Sequence, residues 1–126
     1  LVHNLMPILK DHAKRGHQIF LVSEVIRPLA RHFKEFVGAR DIAVTQLKKH
    51  RGVYTGEVAK FCFGNEKAKR VLALAQEYHL DLKRSYAYGD SMSDFPMLSL
   101  VRHAVAVRPK RALRHAATQA HWPIVT

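Results

Sequence analysis

The 126-residue sequence has 48% hydrophobic residues, a formal charge of +11 and one cysteine, Cys62. That length suits one domain with one core, and no apolar run approaches the roughly 20 residues needed to span a bilayer. A lone cysteine excludes an internal disulfide and a cysteine-based zinc cluster, and it favours a reducing, cytoplasmic setting. The basic residues are spread at helix-surface spacing with no aromatic interleaving, so a solvated basic face is preferred over nucleic-acid binding.

In chain order, Leu1 to Arg15 carries Leu5, Met6, Leu9 and Ala13 at helical spacing, with Pro7 early and Gly16 as the stop. His17 to Val22 reads as a short strand with Ser23 at its carboxyl end. Glu24 to Val37 repeats apolar residues with a helical period, and Gly38 closes it. Asp41 to Thr45 is a second strand. It runs into a hairpin whose polar turn is Lys49 to Gly52.

Asn65 to His79 is a helix with Ala68, Val71, Leu72 and Ala75 on its apolar face. Lys67 in its first turn opposes the helix dipole, a local misfit of the sort expected where function overrides propensity. Ser85 to Tyr88 is a strand that stops at Gly89, and Asp90 and Asp94 follow, four residues apart. The pair suits Mg²⁺, which takes few protein ligands and keeps its waters for phosphate. Its competing reading is local, with Ser93 or Asp94 capping a helix that starts near Pro96. Asp94 to Leu100 is that short helix; a strand at His103 to Val107, a helix from Pro109 to about Ala120 and a strand at Trp122 to Val125 complete the chain. Alternating strands and helices predict an α/β fold with a mainly parallel sheet covered on both faces.

Ser23, Lys67, Asp90 and Asp94 form an ordered set. A hydroxyl for a phosphoryl oxygen, an ammonium against its charge and a carboxylate for Mg²⁺ are the parts phosphoryl transfer requires. With Phe20-Leu21-Val22-Ser23, Gly64-Asn65-Glu66-Lys67-Ala68 and Gly89-Asp90-Ser91-Met92-Ser93-Asp94 followed by Pro96-Met97-Leu98, the sequence resembles the haloacid dehalogenase superfamily, in its phosphoserine phosphatase-like branch. These correspond to the second, third and fourth motifs of that superfamily.

The resemblance implies a three-layer Rossmann-like core with a small hairpin and Mg²⁺-dependent hydrolysis of phosphate monoesters through an aspartyl-phosphate. In that scheme Ser23 and Lys67 bind the phosphoryl group of a small phosphorylated substrate, and Asp90 ligates Mg²⁺. Asp94 supports Lys67 or the metal's water shell. The first motif, Asp-x-Asp-x-Thr/Val, is not in these residues, nor is the cap that follows it in relatives. Arg102 and Arg108 stand where a glycine and an asparagine are common in the superfamily, and read as surface substitutions ahead of substrate contacts.

The expectation is therefore that residues 1–126 form the C-terminal portion of a single hydrolase core, lacking the N-terminal strand and cap and inert alone. An unpaired sheet edge would then favour self-association. The rival expectation is a non-enzymatic basic module that binds a phosphorylated ligand, nucleic acid or a partner subunit, with salt-sensitive affinity.

Overall fold

The computed structural model describes residues 2–26, 35, 38–51, 53–60 and 64–126. They gather into two compact units, 2–63 and 64–126, each with its own three-stranded sheet. Among the described residues no helix is long and apolar enough to cross a membrane.

In unit 2–63, helix α1 (Val2–Lys14) keeps Pro7 within it and ends at Gly16, whose φ of 77° is the left-handed geometry glycine adopts at least cost. Its inward face differs from the predicted one. Leu5, Met6, Ile8 and Leu9 are half-buried and His12 is buried, while Ala13 is exposed.

Strand β1 spans Phe20–Ile26, later than the predicted His17 to Val22. The β-branched Val25 and Ile26 carry extended structure past Ser23, so Glu24 to Ile26 belong to this strand and not to the start of a helix. The remainder of that predicted helix, 27–34 and 36–37, lies outside the described residues; Glu35 is helical.

β1 runs parallel to β2 (Asp41–His50) from Phe20↔Asp41 to Ser23↔Val44. The register then shifts between Ser23 and Ile26↔Thr45, a backbone irregularity directly after Ser23. The second half of β2 pairs antiparallel with β3 (Val53–Lys60), closing on His50↔Val53. One ten-residue strand therefore serves both the parallel pair and the predicted hairpin. Arg51 takes the turn at φ 51°.

In unit 64–126, β4 (Tyr86–Gly89), β5 (His103–Val107) and β6 (Ile124–Val125) are parallel and hydrogen-bonded in that order. Around them lie α2 (Asn65–Tyr78), α3 (Phe95–Leu98) and α4 (Arg111–Gln119). The core consists of Leu74, Met97, Leu98, Ala104, Ala106, Val107, Leu113 and Ala117. Each of its fully buried larger side chains, Leu98, Leu113 and Val107, contributes roughly 1.5–3 kcal/mol by leaving water.

Helix α2 departs from the predicted face in part, since Ala68, Val71 and Ala75 are half-buried as expected but are not its deepest positions. It buries Lys67 and Leu74, and leaves Leu72 48% exposed. The C-terminal elements are shorter than predicted: α4 starts two residues after Pro109 and β6 begins at Ile124.

Candidate active site

The loop after β4 is built by local chemistry. β4 and β5 are paired up to Gly89↔Ala106, and beyond Gly89 the chain turns into a single 3-10 turn, Met92–Asp94, before α3. Ser91 and Asp94 form a reciprocal capping box around that turn. The Ser91 hydroxyl also lies 2.9 Å from that of Ser93.

Asp94 is the hub. One carboxylate oxygen, Oδ2, accepts the backbone N–H groups of Asp90 at 3.0 Å and Ser91 at 3.3 Å. The other, Oδ1, accepts a hydrogen bond from Lys67 Nζ at 2.5 Å. Both partners are about 95% buried, with relative exposures of 6% for Lys67 and 5% for Asp94. The predicted cap on the helix near Pro96 does not form: Asp94 precedes α3 with no side-chain bond to that helix, and its Oδ2 instead holds the loop amides before it while Oδ1 holds Lys67. The misfit of Lys67 in the first turn of α2 has its explanation here, since its charge is met by a carboxylate from another element.

Gly89 makes this possible. A Cβ at that position would come within 2.7 Å of Asp94 Cβ and 2.8 Å of its Oδ2, closer than real contacts allow, so only glycine lets the strand end pass under the Asp94 carboxylate.

Asp90 is arranged differently. Its N–H goes to Asp94 and its carbonyl accepts the N–H of Lys110 at 2.8 Å, but its half-buried carboxylate has no hydrogen-bond or ion-pair partner among the described residues. No group of three or more His, Cys, Asp or Glu suited to a metal occurs among the described residues. A single available carboxylate fits Mg²⁺, which binds through one or two carboxylates and completes its octahedron with water and phosphate. It does not fit a cage-forming metal such as structural zinc.

Of the predicted residues, the fold brings Lys67, Asp90 and Asp94 together within unit 64–126. Ser23 is on β1 in the other unit, opposite Val44, and its side chain is outside the described set. Three contributors were not anticipated: Gly89 by its clearance, Ser91 by its cap and the Lys110 N–H by its hold on Asp90. The Ser-x-x-Asp spacing of Ser91 and Asp94 was a usable signal for the cap. The other two depend on contacts between elements.

At the far side of the loop, Arg108 follows β5 with φ 42°, a left-handed conformation costing a non-glycine residue on the order of 1 kcal/mol. Its N–H donates to Val125 O at 2.7 Å, and Pro109 behind it is buried.

The haloacid dehalogenase-like hydrolase family model matches residues 2–99. A probable phosphatase of Mycobacterium tuberculosis is 37% identical over 123 residues, which is 94% of this chain and 42% of that protein. A phosphoserine phosphatase of the same species is 37% identical over 114 residues, 90% of this chain and 37% of that protein. The chain thus spans about two-fifths of the length of these curated relatives. A Bordetella pertussis protein of unknown function superposes over all of this chain and 58% of its own, with a TM-score of 0.89 at 25% identity. The matched residues hold β1, Lys67 and the whole Asp90–Asp94 loop, and the chain belongs to the haloacid dehalogenase-like hydrolases.

Proposed function

We propose that these residues are the C-terminal portion of the core of a Mg²⁺-dependent phosphate-monoester hydrolase of the phosphoserine phosphatase type, working through an aspartyl-phosphate. The observation that carries the reading is the buried Lys67–Asp94 ion pair beside the unpartnered carboxylate of Asp90. Burying an ion pair is costly in desolvation and is weak support for stability alone. A fixed ammonium next to a carboxylate available for a cation is, however, the electrostatic arrangement that phosphoryl transfer uses.

In this reading Asp94 holds Lys67 Nζ where it can meet a phosphoryl oxygen, and its second oxygen fixes the loop backbone so that Asp90 keeps its place. Asp90 would hold Mg²⁺, and the bound ion supplies Lewis-acid neutralisation of phosphoryl charge. The resemblance assigns phosphate binding to Ser23 as well, a role its hydroxyl keeps in this reading. The attacked carboxylate comes from outside these residues, because none of the five aspartates, Asp11, Asp41, Asp81, Asp90 and Asp94, stands in an Asp-x-Asp pair. The 37% identity to proteins bearing phosphatase names supports the reading, and the lone Cys62 keeps a cytoplasmic setting with it.

The test is turnover of phosphoserine and nitrophenyl phosphate by the protein extended upstream to include an Asp-x-Asp strand, beside the 126-residue chain. The extended protein is expected to be active with Mg²⁺ and to lose at least about a hundredfold in kcat on Lys67→Met or Asp90→Asn. The short chain is expected to be inert. Robust turnover by the short chain, or full activity of Lys67→Met, overturns the assignment.

A further inference from the structure

Phe95 is the joint between the 3-10 turn and α3. Its backbone N–H donates to Met92 O, closing the turn, and its carbonyl accepts the N–H of Ser99 at 3.0 Å and the Ser99 hydroxyl at 2.8 Å, within the helix. It directly follows Asp94, so a tilt of the joint carries the Asp94 backbone with it. The half-buried Phe95 ring packs on that of Trp122, with centroids 5.3 Å apart and planes inclined by 36°.

Trp122 has a fixed seat. Its backbone N–H donates to Ala117 O in α4 at 2.9 Å, and the carbonyl of Pro123 behind it accepts the N–H of Ala106 in β5 at 3.0 Å. Ala106 and Ala117 are both fully buried, and β6 pairs with β5 from Ala106↔Ile124. Trp122 is the only tryptophan of the chain and lies beyond residues 2–99 of the family match. The polar bonds of the Asp94 side chain reach Lys67 and the amides of Asp90 and Ser91; none of them fixes the joint that follows it. The ring contact supplies that anchor from the core of the sheet.

We infer that Trp122 is a positioning residue of the site: packed on Phe95, it sets where the turn holds Asp94, and through Asp94 where Lys67 Nζ stands. The inference rests on the phosphatase reading for the reaction it serves, though not for the contact itself. Lys67 is a flexible side chain whose ammonium goes where its buried carboxylate partner goes, and electrostatic catalysis depends on such groups being held in place before the reaction. Aromatic pairs have a preferred geometry, which an aliphatic side chain of similar bulk does not reproduce. A packing residue would lower stability and leave the site intact; a positioning residue disturbs the site first.

The experiment uses the upstream-extended protein with Mg²⁺ and nitrophenyl phosphate. Trp122→Leu is expected to lower kcat about tenfold with KM within about twofold, a part of what an ångström of misplacement costs. Phe95→Leu should reproduce the loss, and the double variant should be no worse than either single, because both remove one contact. Trp122→Phe, which keeps a ring, should retain at least about half of the wild-type kcat. Amide hydrogen exchange is read beside turnover. In Trp122→Leu the Asp90 and Ser91 amides, held by Asp94, should exchange at least about fivefold faster, while those of Ala106 and Arg108, held by Pro123 and Val125, stay within about twofold. If Trp122→Leu does not fold, Phe95→Leu is read in its place. Wild-type kcat in the leucine variants, losses that multiply in the double variant, or faster exchange spread equally over β5 overturns the inference and leaves Trp122 a packing residue. Absent turnover by the wild-type protein removes the phosphatase reading, and the exchange pattern alone then decides the positioning role.

Discussion

Each unit turns a polar residue inward on a helix, and the two do so with opposite consequences. In unit 2–63, α1 buries His12, whose Nδ1 lies 2.8 Å from Nδ1 of His17 with ring centroids 5.1 Å apart. In unit 64–126, α2 buries Lys67 against Asp94. The histidine pair is joined through a proton that one ring holds and the other accepts, so a change of one proton alters it. The lysine pair carries full opposite charges, and Asp94 is further held by two backbone N–H groups. A buried polar residue can thus be a titrating contact or a fixed electrostatic element, depending on what faces it.

The largest effect should come from removing one side of the fixed pair. Asp94→Ala leaves an ammonium buried without its counter-charge and is expected to cost about 3–5 kcal/mol in urea unfolding. Lys67→Met should cost less, since Asp94 retains the N–H groups of Asp90 and Ser91. The double variant should be well short of the sum. Additive losses would show that the 2.5 Å contact is energetically uncoupled.

Gly89→Ala comes next. The new methyl must displace the Asp94 side chain, and a loss of about 2 kcal/mol is expected. Its sharper signature is chemical-shift change at the amides of Asp90 and Ser91. Unchanged amides together with wild-type stability would mean that the loop gives way without disturbing the pair.

These two helices also show where sequence reading stops. Apolar periodicity located both correctly, and the β-formers of Asp41 to His50 and the run before Gly89 placed the strands near their observed positions. In each helix, however, three of the four predicted inward residues are half-buried and the fourth is exposed, while the most deeply buried positions include a polar residue one place along. Ala13 was expected inside where His12 is, and Leu72 where the line from Lys67 to Leu74 is. The cause is the same in both. A count of apolar residues gives a histidine or lysine no inward weight, and the partner that makes burial favourable, His17 or Asp94, lies on another segment. The candidate site was legible as residue types in order; the division of labour between the two Asp94 oxygens was not, because it requires knowing that the Asp90 and Ser91 amides converge on one atom.

The titrating contact gives a smaller effect with a definite sign. Burial, then the nearby Arg15 and His17 charges, hold the His12 pKa below its ordinary 6.5, with Asp11 opposing. Between the folded and unfolded values the unfolded chain binds more protons, so stability rises with pH. The contribution is present in full above about 6.5 and is lost as pH falls through the depressed folded value. Urea unfolding between about pH 5 and pH 8 should therefore show a positive slope of at most about 1.4 kcal/mol per pH unit from this residue. The slope should shrink in His12→Asn. An equal slope in the variant would assign the pH dependence to other groups and leave the His12–His17 contact without thermodynamic weight.

The smallest effect on stability separates the two carboxylates of the loop. Asp90 and Asp94 are four residues apart, yet the Asp94 side chain has three polar contacts and that of Asp90 none among the described residues. Asp90→Asn keeps the backbone N–H and C=O that bind Asp94 and Lys110, so unfolding should change by less than about 0.5 kcal/mol. Mg²⁺ titration by calorimetry on the upstream-extended protein should instead show a clear loss of affinity. Unchanged stability together with lost Mg²⁺ affinity would assign the Asp90 carboxylate to a ligand and not to the fold. If Asp90→Asn were as destabilising as Asp94→Ala, the carboxylate would have a structural partner and its availability to a cation would fall with it.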